Sequence, residues 1–457
     1  MKLLALALPL VLALGVLFLR AAEEKTTART FSVWASSCSH VPADIRRGRE
    51  SLAEAIRQSE GENGFDWDIM IDAGDLSANQ TPPGDADGQE LQLQYRALTK
   101  HRREQVYGVQ GNHDAPYFDH GPGSWFRKWG DPLGEFTEFS GVDAARRPFP
   151  VEGNWERYSF EAGNLLFLML ADRNDAPTPV GRGHSSEKNR GGYPPGAITR
   201  ETFEWWKNQV LENQDKIILT MHHHALRDTT VASSNGEGNP RYHGSSGGAA
   251  GSSYLYFIIE NDDPDDFQFT PDAHVFEDFL ADFHEENGRG AIDFWVAGHT
   301  HVKGPDDDFG RKTITENHWG VNFLQVAALT RHHGGSHPLS RLLTFTENEN
   351  EAVVKTWLHD GSYQKHPIGF YEPATRKLSL RHRFQAPPPI ESMPAFPPET
   401  RVFTRERQPA ASDSAQLFPA AAEPDFADRW DAETGKIQLE ARELDGTQRI
   451  RIGAIDI

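Results

Sequence analysis

The chain has 457 residues, 37% of them hydrophobic, and a formal net charge of -21 at pH 7. That length gives a large core or roughly two to three domains, and an acidic surface repels phosphate backbones, which excludes a general nucleic-acid binder with a stable partner of that kind. Eleven Trp and 27 Phe point to a globular interior, while 40 Gly and 29 Pro predict many long loops.

The chain opens with MKLLALALPLVLALGVLFLRAAEEK, one lysine followed by an apolar run from Leu3 to Leu19 and then Arg20. Residues 1–22 have the form of an export signal, which places the mature protein in the periplasm or outside the cell. The alternative is an uncleaved membrane anchor, because the run reaches the lower limit of roughly 17–25 residues for a spanning helix. Membrane contact is expected only in that case. An exported chain can use disulfides, yet a single cysteine, Cys38, cannot form one within the chain. It is free, bound to a metal, or joined to another molecule. A lipid-attachment cysteine would follow the apolar run directly, and this one lies well beyond it.

FSVWAS (31–36) reads as a strand, RRGRESLAEAIRQS (46–59) as an amphipathic helix and DIMIDAG (68–74) as a second strand. QELQLQYRALTKHR (89–102) then reads as a helix and EQVYGVQ (104–110) as a third strand. This alternation predicts a largely parallel sheet with covering helices and ligands at the strand ends. Residues 111–153 form a loop-rich insertion, 155–173 a hairpin, 198–213 a helix and KIILTM (216–221) a strand. The Gly/Ser-rich stretch 233–253 cannot pack a core. A helix over 274–287, the strand AIDFWVAG (291–298) and short β patterns to about 385 follow, enough for a second sheet facing the first. The expected domain spans 23–385. Residues 386–457 read as a Pro/Ala-rich linker or a tail wrapped over the domain, whose last stretch can add strands.

Polar clusters stand where the strands end: Cys38-Ser39-His40, Gly74-Asp75, Gly111-Asn112-His113-Asp114, His222-His223-His224 and Gly298-His299-Thr300-His301. Residues i and i+2 of extended chain face the same way, so Cys38 with His40, and His299 with His301, can aim two donors at one point. Glycines ahead of Asp75, Asn112 and His299 permit sharp exits and close backbone approach. Carboxylate, amide, thiolate and imidazole donors suit a pair of transition-metal ions.

The order C-x-H, G-D, G-N-H-D, H and G-H-T-H resembles the calcineurin-like metallophosphoesterases, whose first motif is D-x-H, over roughly residues 30 to 330. The resemblance implies a four-layer αββα sandwich of two facing mixed sheets flanked by helices. It also implies two divalent or mixed-valence ions (Zn, Fe or Mn) that activate a bridging hydroxide against a phosphate ester. One metal falls on Cys38, His40, Asp75 and His301, and the other on Asp75, Asn112, His222 and His299. Within the triple histidine, strand alternation puts His222 and His224 on one face; His222 is the expected ligand, with His223 next. His113 takes the general-acid role and Asp114 orients it.

Cys38 departs from the family pattern. A thiolate carries the charge of a carboxylate, and its bond of about 2.3 Å offsets a shorter side chain. A group of alkaline phosphatases in the same broad superfamily also places a cysteine on iron. The contrary reading is a small buried residue with the first site weakened or empty. Arg157, His184, Tyr193, Arg241, Tyr242 and His243 lie in insertions and are weak substrate-contact candidates, and Asn79-Gln80-Thr81 fits a glycosylation acceptor. The paired tryptophans of TFEWWKNQV read as the apolar face of a helix. The expected function is an exported phosphatase or phosphodiesterase; the alternative is a non-catalytic or mononuclear metal-binding protein on the same fold.

Overall fold

The computed structural model describes residues 28–45, 48–77, 82–118, 120–177, 196–230, 233, 254–301, 315–331 and 337–405, and the backbone of 430–431, 436–442 and 449–456. β1 (Thr30–Ser36) carries apolar residues on both faces, Phe31, Val33 and Ala35 on one and Trp34 on the other. A strand of that kind is stable only between two layers. β2 (Ile69–Asp72) and β3 (Val106–Gly108) repeat the pattern. The hairpin β5–β6 (Arg157–Ala162, Leu165–Leu170) follows β4 (Glu152–Gly153), and then come β7 (Gly196–Thr199) and β8 (Ile217–His222). β9 (Leu255–Asn261) and β10 (Gln268–Pro271) precede β11 (Phe294–Ala297), β12 (Thr315–His318) and β13 (Val321–Gln325). β14 (Leu339–Thr346), β15 (Glu351–Leu358), β16 (Gly369–Phe370) and β17 (Arg376–Ser379) complete the body.

Two seven-stranded sheets result, β16-β15-β14-β1-β2-β3 with β17 on β15, and β12-β13-β11-β8-β6-β5-β4. Both are mixed: β1, β2 and β3 run parallel, as do β6, β8, β11 and β13, and antiparallel strands flank each set. The sheets face each other across a core of Val33, Ile71, Tyr107, Phe167, Leu219, Met221, Phe294 and Phe345. Behind the first sheet, Trp34, Met70 and Leu342 pack on the helices Ser51–Glu60 and Asp85–Tyr95 and on Trp125 and Trp129. Behind the second, Leu168, Ile218, Trp295 and Phe323 pack on Arg200–Glu212 and Val275–Asn287. This is the expected αββα order. Trp206 is buried with Nε1 donating to Thr220 Oγ1 at 2.9 Å, so the tryptophan pair does line a helix face.

A small third sheet, β10-β9-β7, is absent from the expected elements; its parallel β7–β9 pair joins segments more than fifty residues apart. The second helix begins at Asp85 rather than 89, since the Asp87 carboxylate accepts the Gly84 N–H at 2.8 Å and closes its first turn. Residues 386–405 lie on the domain. Arg102 donates to Glu391 O and Arg146 to Pro394 O, the Arg103 N–H donates to Ala395 O at 2.8 Å, and Phe396 and Phe403 join the apolar cluster behind the first sheet. Trp430–Asp431, Lys436–Arg442 and Arg449–Asp456 pair as antiparallel strands. The N-terminal segment 1–22, the acceptor 79–81, the stretch 234–253 and the candidates His184, Tyr193, Arg241, Tyr242 and His243 lie outside the described residues. Among the described residues no helix is long and apolar enough to cross a membrane.

Candidate metal centre

Five loops leave the carboxyl ends of parallel strands and meet at one edge of the sandwich: those after β1, β2 and β3 from the first sheet, and those after β8 and β11 from the second. Main-chain hydrogen bonds lace them together. Cys38 N–H donates to Gly74 O at 2.8 Å, His40 N–H to Asp75 O at 3.0 Å and Gly298 N–H to His223 O at 2.9 Å. Two close approaches explain the glycines. A Cβ on Gly74, which has φ +89°, would strike the backbone of Gly111, and one on Gly298 would strike Ser37 Oγ. Four non-glycine residues here sit in the left-handed region: Cys38 (φ 49°), His40 (40°), Asp75 (60°) and His299 (61°). Each such conformation costs on the order of 1–3 kcal/mol and persists only where surrounding contacts enforce it.

The side chains converge and are all nearly inaccessible to solvent. His40 Nδ1 bonds Ser77 O at 2.7 Å, which turns Nε2 inward to 3.3 Å from His301 Nε2 and 3.7 Å from Asp75 Oδ2. Cys38 Sγ lies 4.0 Å from Asp75 Oδ2. Asn112 Oδ1 stands 3.0 Å from both His223 Nε2 and His299 Nδ1. Asp75 is central. Its Oδ1 accepts the His113 N–H at 2.8 Å, and its Oδ2 is 3.2 Å from His223 Nε2. Burial pushes the Asp75 carboxyl up, but His223, His113 and His40 together hold it well below the usual range. Burial likewise opposes a charged His223, and Asp75 outweighs it, lifting that imidazole to about 9.

Of the three consecutive histidines, His223 rather than the expected His222 turns toward the cluster. β8 places Ile217, Leu219 and Met221 between the sheets, and Ile218 toward the helices, where Thr220 meets Trp206. By the same alternation His222 faces outward and His223 inward. His223 Nδ1 donates to Ala73 O at 2.6 Å and presents Nε2 to Asn112 and Asp75, whereas His222 Nδ1 accepts the His224 N–H at 3.0 Å. Burial depresses His222 to about 4, so it is neutral. Because both faces of IILTM are largely apolar, no clear binary pattern marked which histidine turns inward; the lone polar Thr220, on the face of His222, was the one available signal.

Asp114 also differs from expectation. Its Oδ2 accepts the N–H groups of Gly111 and Asp75, each at 2.9 Å, and its Oδ1 that of Ser77 at 2.9 Å. It fastens the loops after β2 and β3 to each other rather than orienting the His113 ring. His113 itself meets His40 edge-on, with ring centroids 4.7 Å apart. Arg157 is engaged by Glu201 and by Thr202. Two acids went unnoticed in the sequence, Asp72, which accepts Ser36 Oγ–H at 2.5 Å, and Asp172, 2.6 Å from His224 Nδ1. Asp72 ends β2 and Asp172 stands two residues past β6, close to the strand-end positions that marked the others.

The donor set fits metal. Ligand atoms of Cys38, His40 and His301 all lie within 4.8 Å of one another, as do those of Cys38, Asp75 and His223, of His40, Asp75 and His113, and of His223, His224 and His299. Cysteine sulfur, imidazole, carboxylate and amide oxygen on fixed loops suit Zn, Fe or Mn. A family model for the calcineurin-like phosphoesterases matches residues 31–303, more than half of the chain, and the protein belongs to that family. No curated protein matches it in sequence. Among solved structures it is similar to GAP50, the anchor in the inner membrane complex of Plasmodium, at 8% identity over 78% of this chain and 90% of that one, TM-score 0.39. It is also similar to Vps29 from Chaetomium thermophilum, at 7% identity over 77% and 99% of the two chains, TM-score 0.26, and to a single mutant of Vps29 from Entamoeba histolytica, at 12% over 76% and 99%, TM-score 0.23.

Proposed function

We propose that the protein is an exported, metal-dependent hydrolase of phosphate esters. The convergence of five strand-end loops on one buried cluster of donors carries this reading. Cys38, His40, Asp75 and His301 would hold one cation, and Asp75, Asn112, His223 and His299 the second. Bound there, two cations would polarise water and neutralise the oxygens of a phosphate group. The chain supplies the rest. The Ser77 and Ala73 carbonyls fix the tautomers of His40 and His223, so that each offers Nε2 to the centre. Asp75 Oδ1 holds the His113 main chain against the cluster, and the His113 imidazole donates a proton to the leaving oxygen. Nearly complete burial excludes bulk water and strengthens each of these interactions.

Metals per chain and turnover of aryl phosphate mono- and diesters test this in the wild type, Cys38→Ala and His113→Ala. His113→Ala should lower kcat by about 10²–10⁴-fold with metal content unchanged. Cys38→Ala should lose one cation and most activity. Turnover indifferent to both substitutions would sink the catalytic assignment and favour a purely cation-binding role. Sequencing the N-terminus of the mature protein tests export; a chain still carrying residues 1–22 would refute cleavage.

A further inference from the structure

His224 is placed as deliberately as the ligands on either side of it in space. It follows β8, where strand alternation no longer governs it, and both it and Asp172 are fully buried. Asp172, two residues past β6, brings Oδ2 to 2.6 Å from His224 Nδ1, and its Oδ1 accepts the Ala197 N–H at 2.9 Å. The His224 main chain is pinned as well. Its N–H donates to His222 Nδ1, and its carbonyl accepts Trp295 Nε1–H at 3.3 Å. Gly196 on β7 leaves room for the ring, since a Cβ there would fall 2.8 Å from His224 Cγ. The ring packs 3.9 Å from His299 and 5.0 Å from His223, centroid to centroid, and one nitrogen from each of the three imidazoles lies within 4.8 Å of the other two.

Resting on the two-cation reading above, we propose that His224, oriented by Asp172, is an additional ligand of the second cation, which thereby gains a third imidazole. A histidine ligand is normally held by a carboxylate or carbonyl on its other ring nitrogen, and the Asp172 carboxylate stands 2.6 Å from His224 Nδ1 as a close charged contact. Imidazole-rich sites favour borderline ions such as Zn, Co or Ni over Mn or Mg. The two positions therefore differ in kind: the first is marked by sulfur, the second by nitrogen.

Metal-free full-length protein is titrated with Co(II). The equivalent bound at Cys38 shows a sulfur-to-cobalt charge-transfer band, and the other shows d–d absorption alone. His224→Gln and the isosteric Asp172→Asn should each weaken the equivalent lacking the sulfur band by about 10–100-fold and change its d–d envelope. The sulfur-marked equivalent should be unchanged, which certifies the fold of each variant. If His224→Gln does not fold, Asp172→Asn, which keeps the volume and the acceptor for Ala197, decides alone. Wild-type affinity and spectrum of the second equivalent in the folded variants would overturn this assignment and leave the two-cation reading standing. A wild type that takes up only one Co(II) would overturn both.

Discussion

The histidines after β8 have separate tasks, and substitution should separate them. Under the two-cation reading, His223→Ala is expected to lose one cation, because it removes the imidazole aimed at Asn112 and Asp75. His222→Ala should keep both, at a stability cost of about 1–3 kcal/mol for the deleted acceptor and buried volume. Metal analysis beside thermal melts reads both results; loss of metal from His222→Ala would refute the division. Cys38 gives a second expectation at this scale. Under the two-cation reading, Cys38→Asp should retain both cations and lack the sulfur-to-metal absorption expected of the wild type with Co(II). The positions of Cys38, His40, Asp75, Asn112, His299 and His301 were legible because each belongs to a short motif at a strand end. The outward turn of His222 was not, because a strand apolar on both faces does not reveal which face is the inner one. Asp114 was found for the wrong reason: its motif marked it, but its carboxylate serves three main-chain N–H groups.

At the scale of elements, the loops depend on backbone approaching side chain more closely than any Cβ allows. Gly298→Ala is expected to force the loop after β11 away from Ser37, destabilising the fold by about 2–4 kcal/mol and lowering activity more than the destabilisation explains. A melt and a kcat measurement on the folded fraction check this; unchanged activity would show that the loop's position is not critical. The strands and helices of both sheets could be read from hydrophobic periodicity, since most are bounded by turns and packed on two sides. The β10-β9-β7 sheet could not. Its pairing of Gly196–Thr199 with Leu255–Asn261 is long-range and bridges a Gly/Ser-rich stretch, where local pattern carries no signal.

For the molecule as a whole, residues 386–405 pack against the body of the domain expected to end at 385. A chain ending at 385 would lose Phe396 and Phe403 from the cluster behind the first sheet, along with the Arg401–Glu138, Arg405–Glu50 and Arg405–Glu90 ion pairs. It should melt about 2–5 °C below a chain ending at 405; equal melting temperatures would return the segment to a mere linker. Acid stability has an identifiable contributor on the same side. Burial works against the Glu60 charge, but hydrogen bonds from His101, Thr99 and the Lys100 N–H override it and hold the carboxyl at about 2, below its usual 4.5. Because the folded value is depressed, this stabilisation is complete above pH 4.5 and disappears as the pH falls toward 2. Wild type and Glu60→Gln should therefore converge in melting temperature over that window, as followed by thermal melts in stepped buffers.

The donors belong to two sheets whose facing surfaces meet mainly through oily side chains. His40 reaches His301, and Asp75 reaches His223, across the seam between them. An ion seated there would act as a rivet, clamping the halves of the sandwich at their open end. Unfolding should then become a metal-linked event, with the melting point climbing in proportion to the logarithm of free ion, and chelation should loosen the seam before it disturbs either outer layer of helices.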